Sequence, residues 1–292
     1  IGSCFAQEIG VLMNEHKFDV LLNPHGILFN SFSIVRAIDD YIENKVYNAG
    51  DLMKHNNIWH SLYHHGNYSD ADAQKCLYKI NSGVADAHNY LKKADWLCIT
   101  LGTSWVYTYK PTGSIIANCH KIPQDNFTRT LKYSNQQTDV LQDKIARLRA
   151  FNPKIKILFT VSPVKYIRDG IIENNLSKAH LISTVHALCN LNEDCFYFPA
   201  YELVTDVLRD YRFYKEDLVH PNAQAIKFVW EHFIKTFFGN NDMMLFEEIS
   251  SWLKFNNHRS LSDDGRDLYD SKRETMEHAI EEKLSVLRSD KI

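Results

Sequence analysis

Two apolar runs constrain this chain most. Trp96 to Leu101 (WLCITL) and Lys154 to Val161 (KIKILFTV) are near-continuous in apolar residues, and each stops at turn residues, Gly102 and Ser162-Pro163. A strand apolar at successive positions is covered on both faces, as in a parallel sheet packed between helices. Helical spacing alternates with such runs: Phe5, Ile9, Leu12 and Met13; Ile34, Ala37, Ile38 and Tyr41; Val140, Leu141, Ile145 and Leu148. Residues 69–94 and 176–190 also read as helices, and Pro221 is placed to open another from Asn222. Ile1 reads as the end of a strand, and FDVLLN (18–23) and CFYFPAYELV (195–204) read as two more. Strand and helix in alternation, five times over, predict a mostly parallel five-stranded sheet with helices on both faces.

Residues 1–240 are read as this one α/β domain, with a less regular insert at 45–90 rich in His and aromatics. Residues 241–292 are read as a helical C-terminal extension. One amphipathic helix there precedes a polar break at Asn256 to Asp264, and a charged helix follows with Met276, Ile280, Leu284 and Leu287 on one stripe. That stripe is expected to pack on the domain or on a second copy, giving a homodimer.

The formal net charge is −3 and no basic block is present, which argues against nucleic acid or an anionic membrane as partner. No apolar run is long enough to span a bilayer. The six cysteines show neither CxxC pairs nor zinc-ligand spacing, so free thiols in a reducing, cytoplasmic compartment are expected.

In parallel α/β sheets ligands bind beyond the carboxyl ends of the strands. Gly2-Ser3-Cys4, the Asn23-Pro24-His25-Gly26 loop, Gly102-Thr103-Ser104 and the Asp217-Leu-Val-His220 turn all fall there. In that turn Asp217 can orient His220 while the other ring nitrogen takes a proton from a nucleophile. Ser3 and Cys4 sit at a helix start, where the dipole favours negative charge and a lowered thiol pKa. Ser3 also reads as a plain helix cap. Gly26 and the Gly102–Ser104 turn offer backbone N–H groups to an oxyanion. His60, His64 and His65 form the densest histidine cluster. If the segment is helical, the i, i+4 pair suits a metal; otherwise the rings suit the wall of a cleft.

GSCFA at positions 2–6, with NPHGILFNSFSI, WHSLYHHGNYS, LGTSWVY, TVSPV and DLVHPNAQA in order, resembles the GSCFA domain family. That family is grouped with the SGNH (GDSL-like) hydrolases. The resemblance implies a flavodoxin-like three-layer α/β/α sandwich and acyl ester hydrolysis or transfer on a small-molecule or glycan ester, without cofactor or bound metal. Its terminal DxxH block lands on Asp217 and His220, and its second-block glycine on Gly26. Its Gly-x-Asn block lands on Gly102 and Ser104, with Ser where the superfamily has Asn; Asn30, His64 and His65 are candidates to replace that donor. Aligning the glycines of the nucleophile block puts Cys4 in the serine's slot, whereas the superfamily's chemistry favours Ser3. The alternatives are a binding module that keeps the fold without hydrolysis, and a metal-dependent hydrolase built on His60, His64 and His65.

Overall fold

The structure, a computed structural model, describes residues 1–256 and 266–289. The two apolar runs become neighbours. β3 (Trp96–Leu101), β7 (Lys156–Val161) and β8 (Cys195–Tyr197) form a parallel sheet in that order. Its register pairs Ile99 with Phe159 and Phe159 with Tyr197. Ile99, Leu101, Ile157, Phe159 and Val161 are all buried. Helices α2 (Ser31–Glu43), α4 (Ser134–Phe151) and α5 (Ile171–Leu191) pack their apolar stripes into the same core, through Ile34 and Ile38, Leu141 and Ile145, and Leu181 and Val185. Each such aliphatic side chain contributes roughly 1.5–3 kcal/mol on burial.

The mixed α/β class stands, but the parallel sheet has three paired strands, not five. A single parallel bridge, Gly2 to Thr100, extends it beside β3. The strand expected at 18–23 forms no ladder. Lys17 and Asn23 turn the chain at either end of it with φ of 65° and 47°. Phe18 joins an aromatic cluster, with ring centroids 5.5 Å from Phe238 and 5.6 Å from Phe246.

The insert is better ordered than expected. β1 (Met53–His55) and β2 (Ile58–His60) pair as a hairpin. Asn56 and Asn57 are both left-handed in its turn, as a two-residue hairpin loop favours. α3 (Ala73–Leu91) follows, capped by the Asp72 carboxylate on the Gln74 and Lys75 amides, and buries Cys76, Ile80 and Val84. A further sheet follows the turn at Gly102. β4 (Trp105–Tyr109), β5 (Ser114–Ile116) and β6 (Phe127–Leu131) pair antiparallel, with β4 in the middle.

The chain divides into two compact units, residues 1–10 with 21–229, and 11–20 with the described residues from 230 onward. α1 (Cys4–Glu15) and α7 (Ala223–Phe237) each contribute to both. In the second unit α8 (Asn240–Asn256) and α9 (Arg266–Ser289) pack around Ile249, Trp252 and Ile280. Met276 and Leu284 of the expected stripe pack on this cluster. The side chain of Leu287 and the break after Asn256 lie outside the described residues.

Candidate active site

The turn from Lys215 to Asn222 is held by its own backbone and by one carboxylate. Asp217 Oδ1 accepts the amides of Val219 (2.8 Å) and His220 (2.9 Å), and Oδ2 accepts from His220 Nδ1 at 2.7 Å. The His220 and Val219 amides, then the ring, hold the Asp217 carboxyl down at about 2. Leu218 takes the left-handed conformation, φ 57°, which costs a branched side chain on the order of 1 kcal/mol. With Nδ1–H given to Asp217, the lone pair of the neutral ring sits on Nε2, the tautomer a general base requires. Val219 O accepts the Lys165 amide at 3.1 Å, which ties the turn to the chain just beyond the carboxyl end of β7.

Ser3 and Cys4 lie at the neighbouring strand end. The Ser3 amide donates to Thr100 O at 3.2 Å. The Ser3 hydroxyl is buried and has no hydrogen-bond partner, so it does not cap α1. Cys4 is half-buried at the first position of that helix. Burial raises its thiol pKa; its own amide and the Lys215 charge pull the other way, and Glu8 adds to the rise. The expected depression by the helix N-terminus is therefore overturned, and this thiol needs a base to react. Lys215 Nζ lies 3.6 Å from Glu8 Oε1, so the His220 turn and the first turns of α1 share one rim. No hydrogen bond joins His220 to Ser3 or Cys4. Among the described residues, the amides of Cys4, Phe5 and Ala6 have no backbone acceptor.

The amides expected to serve an oxyanion are occupied. Gly102 N and Thr103 N both donate to Phe29 O, at 2.8 and 2.9 Å. Ser104 N donates to Ser177 Oγ (2.7 Å), Ser104 Oγ donates to Ser177 O (2.8 Å), and Gln137 Nε2 donates to Ser104 Oγ (2.9 Å). Thr103 Oγ1 lies 3.1 Å from the same Ser177 hydroxyl. These residues fasten α4 and α5 to the end of β3. Gly26 donates its amide to Asn23 O at 2.6 Å. It is needed for its shape: φ is +74°, and a Cβ there would lie 2.2 Å from the His65 Cβ. Asn30 caps α2, its Oδ1 accepting the Ser33 amide at 2.8 Å.

The histidine cluster is not a helical pair. His60 ends β2, with Nδ1 2.7 Å from Ser69 Oγ and its ring stacked on His120 at 4.5 Å. His64 is wholly buried, stacked on His25 at 4.1 Å, with Nδ1 2.9 Å from Ser61 Oγ. His65 Nδ1 accepts the Asn67 amide at 3.4 Å. Each ring has its own partners, and among the described residues no three His, Cys, Asp or Glu side chains are grouped to hold a metal. Burial holds His64 well below 6.5 and lowers His120 to about 4.

Two groups escaped the sequence reading. His25 Nε2 donates to Asp40 Oδ2 at 3.1 Å, and the Tyr47 hydroxyl donates to the same oxygen at 2.6 Å. Lys178 is 2% exposed and donates to Gly102 O and Ser162 O at 2.7 Å each, bridging the ends of β3 and β7. Its signal was a cation in line with Leu181 and Val185 on the apolar stripe of α5.

Fold and rim together define a class: an α/β protein with an exposed histidine–carboxylate pair beside a helix-start Ser-Cys, at the carboxyl edge of a parallel sheet. The chain belongs to the GSCFA family, whose family model matches residues 1–233. No curated protein matches it. Among the described residues no helix is long and apolar enough to cross a membrane.

Proposed function

We propose that this chain is an SGNH-like acyl esterase or acyltransferase acting on an O-acyl ester of a small molecule or glycan. The observation that carries the proposal is the Asp217–His220 pair, its Nδ1 tied at 2.7 Å and its Nε2 uncommitted. The Ser3 amide bonds to β3 and the Leu28 amide to Gly2 O at 2.9 Å, which supports two further strand positions and a reduced flavodoxin-like order. Six free cysteines fit a cytoplasmic setting.

In this mechanism His220 Nε2 takes the proton of Cys4 Sγ as the sulfur attacks the ester carbonyl. The free amides at the first turn of α1 stabilise the oxyanion. The C–O bond to the alcohol breaks, and His220 returns the proton to the leaving oxygen. Water or an acceptor hydroxyl then attacks the thioester, with His220 again as base, and Cys4 regains its proton. Cys4 is assigned as nucleophile because it is the more accessible of the two. Ser3 is the second candidate, favoured by its orphan hydroxyl. The occupied amides of Gly26 and Gly102–Ser104 favour the rival, a binding module without turnover.

p-Nitrophenyl acetate turnover by wild type, Ser3→Ala, Cys4→Ala and His220→Ala tests this, each variant checked for folding by circular dichroism. A burst in wild type, lost in His220→Ala and Cys4→Ala, supports the assignment. Loss in Ser3→Ala with Cys4→Ala active moves the nucleophile to Ser3. No turnover by wild type on this or longer acyl esters leaves the binding module.

A further inference from the structure

A cavity of about 250 Å³ lies behind the His220 turn, lined by residues between Pro163 and Lys178 and between Tyr201 and Tyr214. Three cationic side chains line it, Lys165, Lys178 and Arg209, against one carboxylate, Asp210. That carboxylate is engaged by Arg212 at 3.0 Å. Among the described residues none of the three cations has a carboxylate within ion-pair distance. Lys178 is the most telling. Its ammonium is buried with two neutral carbonyls as partners, an arrangement whose desolvation those carbonyls do not offset. Burial accordingly lowers its pKa to about 7. When the side chain is protonated, two of its three ammonium hydrogens serve Gly102 and Ser162 and the third is left over. Lys165 Nζ sits 4.1 Å from the ring centre of Tyr211 and 4.0 Å from that of Tyr214. With Tyr201, these rings give the cavity aromatic walls.

We propose that this cavity binds a small organic anion, a carboxylate or phosphate on a ring or short apolar body, held by Lys165, Lys178 and Arg209 and covered by Tyr201, Tyr211 and Tyr214. The charge excess selects an anion over a neutral ligand. The tyrosines select a body that can pack on their faces. The occupant would be felt at the candidate active site from two sides. Lys165 bonds through its amide to Val219 O, and Lys178 bonds to Gly102, where an added Cβ would lie 3.4 Å from the Ser3 Cβ. The cavity does not depend on the acyl-transfer reading, and its test reads binding, not turnover.

Titration calorimetry with phenyl phosphate, benzoate and benzyl alcohol on wild type, Lys165→Met, Arg209→Met and Lys178→Met decides it. At least one anion should bind about tenfold or more tightly than benzyl alcohol, and each Met variant should lose about tenfold in affinity. Phenyl phosphate ahead of benzoate identifies a phosphate ligand, and the reverse order a carboxylate. Should Lys178→Met fail to fold, the other two variants carry the test. Neither anion outbinding the alcohol, or affinity unchanged in both Lys165→Met and Arg209→Met, overturns the proposal. Esterase turnover measured on the same samples fails or succeeds separately.

Discussion

His220 meets Asp217 at 2.7 Å on the surface, and His25 meets Asp40 at 3.1 Å in the interior. The partners have the same chemistry, but their surroundings differ. The Asp217 carboxylate is fixed by two backbone amides of its own turn, and the second nitrogen of His220 remains open to a substrate. The Asp40 carboxylate is buried and shared with the Tyr47 hydroxyl, and the His25 ring is buried against His64. Burial lowers the His25 pKa despite the carboxylate beside it. The first pair faces solvent; the second pair holds α2 to the loop before it. Solvent access separates a candidate base from a structural histidine here.

The sharpest test of that contrast is activity. His220→Ala should lower esterase turnover by about 10²–10⁴-fold with only a small change in urea midpoint, as expected of a positioned base. An unfolded His220→Ala protein would erase the distinction. Asp40→Ala should do the opposite, costing about 2–4 kcal/mol because two buried hydrogen bonds lose their acceptor. Urea denaturation measures it, and a loss below about 1 kcal/mol would demote the buried pair.

A smaller effect follows from pH. The folded chain keeps His25, His64 and His120 neutral below their ordinary value of 6.5, whereas the unfolded chain protonates them. Stability is therefore full above 6.5 and falls as pH drops toward the lowered folded values, about 4 for His120. Urea midpoints at three pH values read this, and His64→Gln should flatten the slope. At the surface pair the sign is checked on Asp217. Its folded pKa, about 2, lies below the ordinary 3.8, so its contribution is present above 3.8 and lost as pH falls through about 2. Carbon-detected NMR should find that midpoint, and His220→Ala should move it upward. The least effect is expected from Leu218→Gly, which relieves the left-handed turn at the expense of chain entropy and should shift stability by under about 1 kcal/mol.

Much of this molecule was legible in advance where a local pattern is also the final one. WLCITL and KIKILFTV read as buried parallel strands and are paired as such. The stripe through Leu141, Ile145 and Leu148 read as a helix face and is buried. Asp217 and His220, three residues apart, needed only a tight turn to meet. Where distant segments compete for the same group, the reading failed. Gly102 and Thr103 looked like free donors, but Phe29 O, far off in sequence, takes both amides. Cys4 looked like a thiolate, but the burial of its surroundings outweighs the helix start. Phe18 looked like part of a strand, but aromatic partners beyond residue 230 draw it away.

The sequence alone determined the α/β class and the His220–Asp217 contact. Each rests on spacing within a few residues, which the backbone transmits directly. Only the tertiary structure decided which polar groups are spent and which are left over. It occupied the amides of Gly26 and Gly102–Ser104, buried His60 and His64, left the Ser3 hydroxyl without a partner and enclosed Lys178 without a counter-charge. Desolvation and hydrogen-bond satisfaction depend on what the whole chain brings near an atom, and no local pattern carries that information.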